Sequence, residues 1–292
     1  MIRSDAFFRS VQLDRVTLRA SDVDRAREFY ERVLGFHSRP SGGGATLFSA
    51  GPDEAALFEV EDSPSAPARQ PGAAGLFHVA LLFPTRESLG HMLTHLLRVG
   101  VRLGSADHGV SEALYLADPE GNGLELYVDR PATAWPPTSA DGQVTMFTDP
   151  LDLASLMAAG GETAGPVLPP SIRIGHMHLA VSSLERAEEF YGRRLGFAVR
   201  QRTYPGALFL ARDGYHHHLG VNTWRSQTIA TTGSLGLVRF GLRFADRNEL
   251  ERIVATAHDQ VIGPGPHGGT LLRDFDGIEI EFHDGLLARV HA

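Results

Sequence analysis

Two stretches of the chain repeat one pattern of apolar and polar positions. Val16–Ala20 and Met177–Val181 are β-rich, and each runs into residues that cap helices, Ser21-Asp22 and Ser182-Ser183. Apolar residues then recur at helical spacing: Val23, Ala26, Phe29, Tyr30 and Val33 in one stretch, Leu184, Ala187, Phe190 and Tyr191 in the other. This predicts helices over 23–33 and 184–194. Gly35 and Gly196 follow, where a helix end favours a left-handed residue. Short strands are predicted over 45–50 and 55–60 after the first helix, and over 207–211 and 216–222 after the second.

A second, more diverged pair of stretches lies between and after these. One starts with an apolar strand over 75–83, continues as a helix over 88–100 and ends in strands over 111–117 and 123–128. The other has a strand over 236–244, a helix over 248–257 and strands over 270–275 and 278–283. At a constant offset of 161 residues, Asp14–Phe36 and Gly175–Phe197 share about half their residues, including Glu-Phe-Tyr and Leu-Gly-Phe. Self-similarity of that kind marks a duplicated structural unit. The expected fold is therefore α+β: four βαβββ modules, the first matching the third and the second the fourth. Modules 1 and 2 are expected over 1–132, a Pro- and Gly-rich linker over 133–173 with a short helix at 151–158, and modules 3 and 4 over 174–292.

The 292 residues suffice for two cores of ordinary size. A net charge of −8 argues against nucleic acid or an anionic membrane as partner. No apolar run reaches the length of a membrane span and no signal core precedes Val16, so a cytoplasmic location is expected. With no Cys, thiolate chemistry and Cys-type metal sites are excluded, which leaves His and carboxylates as metal ligands.

The motif S-x-x-x-R-A-x-E-F-Y-x-x-x-L-G-F in modules 1 and 3 resembles the vicinal oxygen chelate superfamily of glyoxalases, bleomycin-resistance proteins and extradiol dioxygenases. DHGVSEALYLADPEGNGLELYVDRPATAW (107–135) and GYHHHLGVNTW (214–224) are similar to two-domain bacterial catechol 2,3-dioxygenase-like proteins. The resemblance implies that paired modules form two cupped mixed sheets flanked by helices, with metal ligands on the first and last strands of the modules. Those first-strand positions are Arg15, His78, His176 and Arg239; the last-strand carboxylates are Glu125 and Glu281. A ring-cleaving iron site needs two His and one carboxylate with an open face. Guanidinium groups cannot ligate a cation. Pairing module 1 with 2 and 3 with 4 leaves both cups incomplete, whereas pairing 2 with 3 unites His78, His176 and Glu125 and leaves the 1–4 cup metal-free. Ligands lie about 2.1 Å from a shared metal, so the two His must come within about 5 Å of each other.

By the same resemblance, Tyr115, ten residues before Glu125, matches the family's catalytic Tyr, and His108 stands at the cup's rim. A His of the 216–218 run matches the general acid/base. Strand alternation, with small Gly220 in phase, favours His216 and His218, the latter deeper. Phe77, Phe209 and Trp224 are expected as apolar walls, and Asn222 near an open coordination position. Glu281 is expected to be structural or a partner for Arg15 or Arg239. His91, His95, His258, His267, His283 and His291 are expected at exposed or loop positions. The implied activity is Fe(II)-dependent extradiol cleavage of a catechol-type aromatic by dioxygen, with Mn(II) as an alternative ion. The rival readings are a glyoxalase-like lyase or isomerase, which would want a fourth protein ligand, and a metal-free binder of hydrophobic drugs. A homodimer is expected by analogy with the fold.

Overall fold

The computed structural model describes residues 4–161, 165–166 and 168–287. His291 lies outside them. Module 1 contains β1 (Val11–Ala20), α1 (Val23–Glu28), β2 (His37–Pro40), β3 (Ala45–Ser49) and β4 (Ala56–Asp62). Module 2 contains β5 (Gly75–Leu82), α2 (Arg86–Arg98), β6 (Gly104–Asp107), β7 (Ser111–Ala117) and β8 (Gly123–Asp129). After α3 (Leu153–Gly160), module 3 contains β9 (Arg173–Ala180), α4 (Leu184–Ala187), β10 (Ala198–Gln201), β11 (Ala207–Ala211) and β12 (Leu219–Asn222). Module 4 contains β13 (Gly236–Phe244), α5 (Arg247–Thr256), β14 (Val261–Pro264), β15 (Thr270–Arg273) and β16 (Glu279–Asp284). The strands β2, β6, β10 and β14 are only 4 residues each, too short to register as apolar runs in the sequence.

Two eight-stranded mixed sheets result, ordered β14-β15-β16-β13-β1-β4-β3-β2 and β10-β11-β12-β9-β5-β8-β7-β6. Module 1 thus joins module 4, and module 2 joins module 3. At each seam the two first strands run antiparallel, β1 against β13 and β5 against β9. Within each module the first and last strands are parallel neighbours, as in β5–β8 and β9–β12.

The helices of modules 1 and 3 begin as expected, with Asp22 and Ser183 side chains accepting from Arg25 N and Arg186 N. Both then widen into a π-turn, Phe29–Val33 and Glu188–Arg194. The wider turn delivers Tyr30 and Tyr191 into the core, both fully buried. Gly35 and Gly196 follow at φ of 86° and 77°, values that suit glycine. Side chains tie sequence neighbours together where the sheets do not. Tyr30 donates to Asp118 at the module 2 turn, 3.3 Å, and Tyr191 donates to Asp274 at the module 4 turn, 2.8 Å. One apolar core runs through both sheets, from Val16, Phe58 and Phe240 to Leu81, Leu126 and Leu179.

Candidate metal centre and cavity

The register of β5 against β9 builds the site. His78 faces His178 across the seam, and Ala80 faces His176. The parallel neighbour of Ala80 on β8 is Glu125. His78, His176 and Glu125 are all buried, and their donor atoms lie within 4.8 Å of one another. Among the described residues, no other His/carboxylate group has this geometry. Glu125 Oε2 sits 2.9 Å from His78 Nε2 and 3.1 Å from His176 Nε2. Burial alone would raise the Glu125 pKa, but the His176 and His78 groups beside it outweigh that and hold it well below the carboxylate range. Burial lowers His176 to about 4, against the pull of Glu125, so its ring is neutral and able to ligate.

These residues fit a divalent cation. The buried Nε2 of His78 has no hydrogen-bond partner, although Glu125 is close by. A cation would satisfy the orphaned nitrogen and the carboxylate together. The same strand positions in module 3 explain the open side. Glu125 is the parallel neighbour of the residue two beyond His78, and the corresponding neighbour beyond His176 is Gly220. A Cβ on Gly220 would come within 3.0 Å of the His178 ring, so no fourth side chain enters there.

His78 and Glu125 border a cavity of about 200 Å³ lined mainly by aromatic rings, and His176 lies behind them against Glu125. Phe77, Phe209 and Trp224 form walls, Tyr115 and His108 line it from module 2, and His178 and His217 line it from module 3. Tyr115 Oη is 2.6 Å from His108 Nε2, and His108 Nδ1 is 2.6 Å from the Phe147 carbonyl. A carbonyl only accepts, so Nδ1 carries the His108 proton and the Tyr115 hydroxyl donates to Nε2. Burial and then the Glu125 charge push the Tyr115 pKa well above its usual value, which keeps the phenol protonated.

Three sequence-derived assignments change. His216 and His218 do not line the cavity; His217 does. The β11–β12 turn holds Asp213 and Gly214 at positive φ, the chain bends at His216 and His218, and β12 starts only at Leu219. Strand alternation therefore does not extend back from Gly220. His218 is instead clamped in the core, with Nε2 on the Phe7 carbonyl at 2.8 Å and Nδ1 accepting from Arg212 N at 3.2 Å. Asn222 is fully buried and accepts from Trp224 N at 3.2 Å. Its strand neighbour is Ala180, four residues along from His176, so it sits too far down β9 to approach the metal position.

Other corrections concern the remaining His and the linker. His95 and His283 are buried, whereas His267 is the exposed loop residue expected, although its ring bridges two carboxylates in the other cup. The linker is no passive tether. Val144 N bonds to the Arg200 carbonyl, Gln201 bonds to the Met146 carbonyl, and Met146, Phe147 and Thr148 close one side of the cavity. Its helix lies at Leu153–Gly160, two residues beyond the expected span. Sequence reasoning missed His178, although it lies two residues after His176 on the same strand face. Nothing in the pattern marked Tyr204 or Met146 as cavity residues.

The profile of the Glyoxalase/Bleomycin resistance protein/Dioxygenase superfamily matches residues 12–126 and 173–282. The chain is 37% identical over 247 residues to a catechol-2,3-dioxygenase of Bacillus subtilis (strain 168), covering 82% of this chain and 84% of that one. It is 29% identical over 153 residues to biphenyl-2,3-diol 1,2-dioxygenase 2 of Rhodococcus globerulus, covering 50% of this chain and 80% of that one. Glyoxalase I from Zea mays shares the fold at a TM-score of 0.57 and 15% identity, with 94% of this chain and 93% of that one covered. Among the described residues, no helix is long and apolar enough to cross a membrane. The module repeat, the exchanged sheets, the metal-binding group and these matches together make the chain a member of the glyoxalase/bleomycin resistance/dioxygenase superfamily.

Proposed function

We propose that the cavity is the active site of an extradiol dioxygenase in which His78, Glu125 and His176 hold Fe(II) and a small catechol-type aromatic is the substrate. One observation carries this reading: two His and one carboxylate converge on a single point, with Gly220 where a fourth protein ligand would stand. A closed four-ligand set would suit a glyoxalase-like lyase; an open face suits a substrate that chelates through two adjacent oxygens. Bound there, Fe(II) would supply that chelation and an electron route between the aromatic and dioxygen. The named relatives act on diols of this type.

The chain's own residues do the rest. At about 200 Å³ the cavity is smaller than the roughly 300–1,000 Å³ of drug-sized sites, which favours a single ring over a large hydrophobic drug. Phe77, Phe209 and Trp224 exclude water from its faces. Tyr115, already donating to His108, stands where it can redirect its hydroxyl to a substrate oxygen. His217 lines the cavity from module 3 and is neutral: burial, then the nearby His176 and His216, hold its pKa well below 6.5. A neutral imidazole there can accept the proton that a catechol loses on chelation.

Anaerobic loading with Fe(II), followed by catechols and air, tests the reading. Oxygen uptake and a yellow ring-opened product are expected, and His176→Ala should abolish both together with about one equivalent of bound metal. Failure of a panel of catechols to consume oxygen with the iron-loaded protein would overturn it.

A further inference from the structure

Behind His217 lies a buried polar chain that the site described so far does not use. His217 Nδ1 is 2.8 Å from His216 Nδ1, and His216 Nε2 is 2.9 Å from Asp129 Oδ1. Tyr215 donates to the same carboxylate at 3.0 and 3.1 Å, and Tyr127 Oη lies 2.7 Å from Tyr215 Oη. His216 and Tyr215 are fully buried, and the Asp129 side chain is 9% exposed. Asp129 ends β8, four residues beyond Glu125 and on the same strand face, so one strand supplies both a ligand candidate and the root of this chain.

The hydrogen bonds run in one direction only. A carboxylate accepts, so His216 Nε2 carries the proton and donates to Asp129. With Nε2 as its one protonated nitrogen, His216 presents a bare Nδ1, which accepts. Among the described residues, the group opposite it is His217 Nδ1, which therefore carries the His217 proton. What remains is His217 Nε2 as a lone pair, with no hydrogen-bond partner among the described residues, on a ring that lines the cavity. We propose that Asp129 and His216 are positioning residues that fix the tautomer of His217, so that the nitrogen presented to the substrate is always the unprotonated one. His217 Nε2 thereby faces the cavity as a hydrogen-bond acceptor for a substrate hydroxyl. Tyr215 and Tyr127 hold the carboxylate in place from its far side.

The kinetic part of this proposal rests on the extradiol reading; the tautomer part does not. Long-range ¹H–¹⁵N correlation spectra of the ¹⁵N-His-labelled full chain, loaded with diamagnetic Zn(II), report the tautomer of each ring. His217 is expected as Nδ1–H and His216 as Nε2–H. Asp129→Asn offers His216 an amide donor and should invert both rings, placing a proton on His217 Nε2. In the Fe(II) enzyme the same change should lower kcat about a hundredfold, the scale of general-base and tautomer effects, with KM changed less than about threefold. Asp129→Glu, which keeps a carboxylate, should retain the wild-type tautomers and recover much of kcat. A wild-type His217 protonated at Nε2 overturns the proposal whether or not any variant folds. So does an Asp129→Asn protein that keeps the wild-type tautomers or full kcat. If the wild type cleaves no catechol, the extradiol reading fails and the spectra alone decide the relay.

Discussion

His218 shows what burial does to one side chain in a run of three. Burial pushes its pKa down to about 3, although the Phe7 carbonyl it donates to pulls the other way. The unfolded chain takes up a proton near pH 6.5, the native state only near 3. Stability attached to this residue is therefore present above about pH 6.5 and is lost as pH falls, by about 1.4 kcal/mol per unit. His218→Gln keeps a donor for Phe7 and should cost about 1 kcal/mol at neutral pH while flattening the acid arm by one proton. Urea denaturation in a pH series checks this; an unchanged acid slope would sink it. His217, one residue away, faces the cavity instead. That the run would bring a ring to the site was legible in the sequence. Its orientation was not, because a bend between Gly214 and Leu219 depends on turn geometry that alternation cannot read. His78, His176 and Glu125 were legible for the opposite reason. Each lies inside a regular strand, where position along the repeat fixes which way a side chain points.

At the scale of elements, the turns closing modules 2 and 4 act as clasps for the helices of modules 1 and 3. Asp118 and Asp274 each receive a buried Tyr hydroxyl from the preceding module. Asp274 also accepts Asp276 N and Ile278 N, both at 2.8 Å. Burial still raises it to about 6 against these hydrogen bonds. Between about pH 6 and about pH 4 the native state holds a proton that the unfolded chain has lost, so this clasp gains stability as pH falls. That sign is opposite to His218, and the two offset each other across the shared window. Asp274→Asn should remove the gain and steepen the acid loss by about one proton, read from the same denaturation series; an unaltered slope would show that Asp274 does not titrate there. The long elements were legible because their apolar periodicity is strong. The four short strands at the sheet edges and the π-turns were not. Both are set by pairing and packing and leave little mark on a hydrophobic pattern.

Across the whole molecule, duplication has made two cups and charge has made them different. Where the 2–3 cup has His78 and His176, the 1–4 cup has Arg239 and Arg15, and where the 2–3 cup has Glu125 and Gly220 it has Glu281 and Glu59. Arg239 Nη2 lies 3.5 Å from Glu59 Oε2 and its Nε 3.9 Å from Glu281 Oε2; Arg15 Nη1 lies 3.9 Å from Glu59 Oε2. His267 spans the two carboxylates, 3.0 Å from each. Glu59 and Glu281 are 6% and 2% exposed, so neither carboxylate can rely on water. The guanidinium groups do electrostatically in this cup what a cation would do in the other, and they do it permanently, because Arg does not deprotonate. Removing Arg239 should therefore leave two buried carboxylates short of a counter-charge. Arg239→Ala is expected to cost about 3 kcal/mol, seen as a lowered urea midpoint. Its metal content should stay at one equivalent and catechol turnover below the unfolding midpoint should be unaffected, since the 2–3 cup keeps all its residues. A variant as stable as the wild type would show that the two carboxylates find enough compensation in His267 and the backbone. A variant that loses metal would show that the cups are coupled through the seam strands and not electrically separate.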